Sequence, residues 1–258
     1  MARFHSSPPS FSQCRQVVCH LVWDQDFECS IHSTETKISR SMKHMALYLH
    51  HPECSKDCAY AMVSALSSDY QIRIFEESEL DDDNFFDHID IIAFPGGIGD
   101  SDSYPNFFTR TRANRIARFL DGGGHYLGIC MGAYWAGSRY FDILNDVSPV
   151  QYIKRPNATV RRSYGTVTEV DWNGTKEQMY FYDGCALIGD ETKFKTIARY
   201  ANGDPMAIIQ GRIGLIGCHP EAPLYWYEKP WQYINKHWND GRHHTLLLDF
   251  VNKLCPVS

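Results

Sequence analysis

The ten residues His125 to Tyr134, HYLGICMGAY, restrict what this chain can fold into more than any other stretch. Tyr126 to Ile129 is an apolar run of the length of a buried strand. Cys130 follows with a glycine two positions away on either side, and Ala133 to Ser138 suits a helix. A reactive side chain can sit on so tight a strand-to-helix turn only where its neighbours lack side chains, which is the arrangement of a nucleophile elbow. The helix that starts there directs its amide N–H groups and positive dipole end at the sulfur, favouring thiolate and a developing oxyanion. Cys130 is therefore expected to be a nucleophile.

The chain on either side supplies a matching scaffold. Ala46 to His50 reads as a first strand, with Ser55-Lys56-Asp57 as a cap region. Cys58, Ala61, Met62 and Ala65 then fall at the spacing of an amphipathic helix. Tyr70 to Phe75 alternates as a second strand, and Asp90 to Phe94 is a third that ends in Pro95-Gly96-Gly97-Ile98-Gly99. Ala113, Ile116, Ala117 and Leu120 give the next helix its apolar stripe, with Arg110, Arg112, Arg115 and Arg118 largely on its other faces, before Gly122-Gly123-Gly124 ends it. Alternating strands and helices predict an α/β fold with a mostly parallel sheet covered on both faces, whose ligands collect at the carboxyl ends of the strands.

After about Tyr140 the pattern changes to strands and turns: Val160 to Asp171, Gln178 to Phe181, Lys195 to Tyr200, Met206 to Gln210, and Ile213 to Cys218 after a Gly211-Arg212 turn. Extra antiparallel strands are thus expected in the C-terminal half. An aromatic stretch, Tyr225 to Trp238, and a closing helix, Thr245 to Leu254, follow. Residues 1–41 differ from the rest: Ser- and Pro-rich at first, with one short apolar patch and no signal-peptide pattern. They read as an N-terminal extension to a single domain over 42–258, with Met42 or Met45 as possible starts of the regular pattern.

The eight acidic residues between Glu76 and Asp90 read as a solvated loop and helix face, since no turn glycine gives them calcium-loop geometry. A net charge of -6 argues against nucleic-acid binding, and no apolar run approaches the roughly 20 residues of a membrane span. Nine cysteines without a framework suggest reduced thiols and a cytoplasmic location. The sequons at Asn157 and Asn173 are then chance matches on loops.

A cysteine nucleophile needs a base, and the base needs an orienting acceptor. His219-Pro220-Glu221 ends a strand and offers both, with the two side chains two residues apart across a stiff proline. In that order along the chain, Pro95-Gly96-Gly97, Gly128-Ile129-Cys130-Met131-Gly132 and His219-Pro220-Glu221 resemble the class I glutamine amidotransferase superfamily. Phe94 to Gly97 and Gly123-Gly124 with Leu127 to Tyr134 resemble, more narrowly, the amidotransferase-like N-terminal domain of eukaryotic-type biotin-protein ligases, which also occurs as a stand-alone protein. The resemblance covers roughly residues 45–254.

It implies a flavodoxin-like sheet and a triad in which Cys130 attacks, His219 is the acid/base and Glu221 orients it. The Gly97 and Met131 amides would form the oxyanion hole. Gly96, Tyr134, Tyr164 and Asp183 are expected to line the substrate pocket, with Trp135 and Tyr182 as further wall candidates. The family's glutaminases carry Gln or a similar polar residue where this chain has Tyr134, a departure at the position that helps hold glutamine. The expected activity is thiol-dependent hydrolysis or transfer at an amide or acyl carbon of a small-molecule or peptide substrate, without a cofactor. The alternative is a binding module that holds a ligand or docks a partner such as a biotin-protein ligase or another synthetase.

Plainer roles are assigned elsewhere. Cys218 reads as core, and Arg161-Arg162 as a solvated strand edge. His50, His51, Cys54 and Cys58 lack the tight Cys-x-x-Cys pair of a zinc site, so no metal is expected. They still fall at the carboxyl end of the first strand and so should line the same crevice as Cys130.

Overall fold

The structure, a computed structural model, describes residues 42–50, 55–97, 104–230 and 232–256. The expected N-terminal extension, His51, Cys54, and Ile98-Gly99 of the glycine turn lie outside them. The first half runs β1 (Lys43–Tyr48), α1 (Lys56–Leu66), β2 (Tyr70–Phe75), β3 (Ile91–Phe94), α2 (Tyr104–Phe107), α3 (Arg110–Asp121), β4 (His125–Ile129) and α4 (Met131–Trp135). The second half adds β5 (Val147–Gln151), β6 (Thr166–Trp172), β7 (Thr175–Phe181), β8 (Cys185–Gly189), β9 (Lys195–Tyr200), β10 (Pro205–Gln210) and β11 (Ile213–Ile216). It ends with α5 (Leu224–Tyr227) and α6 (Arg242–Leu254).

One nine-stranded sheet has the order β2-β1-β3-β4-β11-β10-β9-β6-β7. The strands from β2 to β11 are mutually parallel, and β10, β9, β6 and β7 extend the sheet with antiparallel pairings. This is the expected flavodoxin-like arrangement with an antiparallel extension. The pleat explains why its strands read as continuous apolar runs. Met45 and Leu47 of β1 pack on one face with Ala59 and Met62 of α1 and Leu247 and Phe250 of α6. Ala46 and Tyr48 pack on the other with Ile116 of α3 and Ala133 and Trp135 of α4. A parallel sheet covered on both faces leaves its strands no polar side.

Several expectations shift. The first strand begins at Lys43 rather than Ala46 and ends at Tyr48 rather than His50. The strand expected from Val160 starts only at Thr166, because the exposed Arg161 to Tyr164 lie in a loop. β5 and β8 form a separate antiparallel ribbon that the sequence reading misses. Pro149 inside β5 explains the omission, since proline within a run argues against a strand except at an edge. The post-elbow helix is Met131–Trp135 rather than Ala133 to Ser138, and the closing helix starts at Arg242, after Gly241 in the left-handed conformation at φ 74°.

The acidic run is not wholly solvated. Glu77 is buried and accepts a hydrogen bond from the Tyr48 hydroxyl at 3.2 Å. It also lies 3.1 Å from His50 Nδ1. Asp81 takes a forked pair of bonds from Arg112, and Asp83 pairs with Arg115, so the run is held against α3. Among the described residues no helix is long and apolar enough to cross a membrane.

Candidate active site

The site gathers where four parallel strands end. Cys130 follows β4, Gly96 follows β3, Cys58 opens α1 after β1, and His219 follows β11. Cys130 adopts φ 50° and ψ -104°, a conformation costly for a residue with a side chain. Its own N–H donates to the Ile216 carbonyl at 2.9 Å, and its carbonyl accepts from the amides of Ala133 at 3.0 Å and Tyr134 at 3.1 Å. The flanking glycines make the turn sterically possible. A Cβ on Gly128 would collide with the Gly132 backbone, and one on Gly132 with the Phe94 carbonyl. The Tyr126 hydroxyl further ties the turn by donating to the Gly132 carbonyl at 2.6 Å.

The thiol is 6% exposed, and its sulfur lies 3.6 Å from the Tyr182 carbonyl. The His219 imidazole is its neighbour, near enough for the two to interact electrostatically. His219 is 3% exposed, and its Nδ1 stands 2.8 Å from Oε1 of the fully buried Glu221. Its backbone N–H donates to the Tyr180 carbonyl at 2.9 Å, which fixes the turn relative to β7. Burial pushes the imidazole's pKa down, but the Glu221 carboxylate first, and then the neighbouring Cys130 and Cys58 sulfurs, raise it well above the ordinary histidine value.

The structure thus brings Cys130, His219 and Glu221 together. Met131 opens α4, so its N–H is among those with no acceptor inside the helix, and Gly97 stands at the end of the glycine turn. Gly96 lies against the histidine: a Cβ there would come within 2.7 Å of His219 Cε1 and 2.9 Å of Cys58 Sγ. The Tyr134 hydroxyl donates to the Asp183 carbonyl at 3.3 Å, while the Asp183 carboxylate accepts from Gln151 Nε2. Tyr164 is exposed beside Gly165, which packs against Tyr180 and Tyr182. Trp135 is in the aromatic core behind the elbow and is not a wall residue.

Two features of the site belong to none of the three motifs. The first is an aromatic wall on His219, with Tyr180 at 6.2 Å and Trp226 at 5.6 Å between ring centroids. The only signal for it is the aromatic density of residues 225–238. The second is Cys58. The Ser55 hydroxyl caps α1 by accepting from the Cys58 amide at 3.4 Å, and the Ser55 amide donates to the Gly96 carbonyl at 3.1 Å. That places the Cys58 thiol on the His219 ring, where burial pushes its pKa up against the lowering effect of the imidazole. The donor atoms of Cys58, His219 and Glu221 all lie within 4.8 Å of one another. Cys218 is fully buried and its pKa is pushed up to about 12 by desolvation, in keeping with a core thiol.

The fold is that of the class I glutamine amidotransferases. A glutamine amidotransferase from Thermotoga maritima superposes with a TM-score of 0.61 at 10% identity, covering 83% of this chain and 98% of that one. Another glutamine amidotransferase gives 0.52 at 14% identity, covering 81% of this chain and 98% of that one. A β-galactosidase from the psychrophilic Marinomonas ef1 matches at 0.52 and 13% identity over 84% of this chain but only 30% of its own, so the fold alone does not fix a reaction. The sequence model of the family described as "Biotin-protein ligase, N terminal" matches residues 50–148. No curated protein matches the chain. Residues 50–148 are thus similar to the N-terminal family of biotin-protein ligases, on a fold similar to that of glutamine amidotransferases.

Proposed function

We propose that the protein is a cysteine-nucleophile enzyme acting at an amide or related acyl carbon, with Cys130 attacking and His219 exchanging the proton under the orientation of Glu221. The observation that carries this reading is the joint geometry of the elbow and the imidazole. A strained cysteine at a helix N-terminus neighbours a histidine that is itself held 2.8 Å from a buried carboxylate. A core thiol has no use for backbone strain, for a base or for an orienting acceptor.

In the proposed reaction Cys130 sulfur bonds the carbonyl carbon. The oxyanion is held by the Gly97 and Met131 amides, and His219 passes the thiol proton to the departing nitrogen. Water or an acceptor nucleophile then releases the acyl group. The substrate approaches past Tyr134, Asp183 and the aromatic wall. Tyr134, tied to the Asp183 carbonyl, favours an amide other than free glutamine. The five free cysteines among the described residues support a reducing, cytoplasmic setting.

The test is incubation with a panel of activated acyl esters and amides followed by intact-mass and peptide mapping. A thioester on Cys130 that is absent in Cys130→Ser supports the reading, and acylation spread over other thiols contradicts it. The family match at residues 50–148 and Tyr134 together favour one second reading, a non-enzymatic module that docks a biotin-protein ligase or another synthetase. On that reading Cys130→Ser leaves partner affinity unchanged and no acyl-enzyme forms.

A further inference from the structure

We propose that Cys58, His219 and Glu221 form a site for a zinc-class divalent cation, whose occupancy withdraws His219 from Cys130. The withdrawal rests on the proposed pairing of Cys130 with His219, whereas the binding itself does not. Thiolate, imidazole and carboxylate are the donor types zinc takes, and three protein ligands with one open position is a recurrent zinc arrangement. All three residues are buried and their donor atoms lie within 4.8 Å of one another. Zinc–ligand bonds of 2.0–2.3 Å at tetrahedral angles separate donors by about 3.3–3.8 Å, so closure needs shifts on the order of 1 Å.

Two further observations support a ligand here. Among the described residues Oε2 of Glu221 has no hydrogen-bond partner although the side chain is fully buried, and an unsatisfied carboxylate oxygen is costly unless something meets it. The nucleophile's chemistry also has no task for Cys58. The Ser55 cap nevertheless holds this residue in the first turn of α1, where its sulfur faces the imidazole that the proposed reaction pairs with Cys130. Binding would release the Cys58 proton to solvent and occupy an imidazole nitrogen, leaving Cys130 without a free base.

The experiment uses the full-length, reduced and chelator-stripped protein. Cobalt(II) and zinc are titrated into wild type, Cys58→Ser and Cys130→Ser, and iodoacetamide labelling is mapped peptide by peptide with and without zinc. We expect one thiolate-to-cobalt charge-transfer site that survives Cys130→Ser. Cys58→Ser should weaken it by tenfold or more, since even outer-shell changes cost about 10–100-fold. In the unmodified protein, zinc should reduce labelling of Cys58 by at least tenfold and slow labelling of Cys130. Unchanged Cys58 labelling, or the same stoichiometry and affinity in Cys58→Ser, overturns the site. If zinc protects Cys58 while Cys130 labelling responds neither to zinc nor to His219→Ala, the metal site stands and the nucleophile pairing falls.

Discussion

Replacing Glu221 by glutamine keeps the shape and one acceptor for His219 but removes the buried charge. In the wild type the imidazole and the carboxylate stand 2.8 Å apart with both side chains out of water. Removing one partner of such a pair costs about 3–5 kcal/mol when the other charge is left buried. The imidazole can escape that penalty by shedding its proton, which makes the cost depend on pH. His219 has a folded pKa raised well above the ordinary value near 6.5. Its charge-dependent stabilisation is therefore complete below about pH 6.5, and it declines by roughly 1.4 kcal/mol per unit as pH rises toward the folded pKa. The assay is urea unfolding of wild type and Glu221→Gln at half-unit steps from pH 5.5 to 8.5, a range in which ordinary carboxylates stay ionised. The destabilisation should be largest, about 3–5 kcal/mol, at pH 5.5–6.5 and shrink steadily above it. A difference that is flat across the range, or that grows with pH, would refute the argument that Glu221 holds a charged His219.

Three other changes probe the surroundings. Gly132→Ala drives a methyl into the Phe94 carbonyl, so it should cost at least the 1–3 kcal/mol typical of overpacking and lower the melting temperature by about 2–12 °C, read by calorimetry. Tyr134→Phe removes the hydroxyl bond to the Asp183 carbonyl and should cost about 1 kcal/mol in urea unfolding while leaving Cys130 labelling intact; a large loss of labelling would assign the hydroxyl a chemical role. Glu177, buried against Arg242 at 2.8 Å and His243 at 3.5 Å, anchors the start of α6. Glu177→Gln should cost roughly 1.5–3 kcal/mol, and faster amide exchange in the first turn of α6 would locate the effect.

Much of this organisation is legible in the residues themselves. The parallel half of the sheet follows from apolar runs alternating with amphipathic spacing, and the elbow from a cysteine between glycines, because both are local signals. The β5–β8 ribbon is hidden since Pro149 contradicts local strand chemistry and only the pairing partner, far along the chain, overrides it. Glu77 reads as one solvated acid among eight until Tyr48 and His50 are seen beside it. Cys58 has the spacing of an ordinary core position on α1. Its position on the same crevice as Cys130 follows from strand order, but its contact with His219 requires the turn after β11, which no local pattern reveals.

If Cys130 and His219 act as one unit, the reactivity of the Cys130 thiol depends on the imidazole. Site-resolved iodoacetamide labelling at pH 6.5–7 should modify Cys130 before the other eight thiols, and His219→Ala should slow that step by on the order of tenfold or more. Labelling of all accessible cysteines at comparable rates, or a Cys130 rate indifferent to the loss of His219, would contradict it.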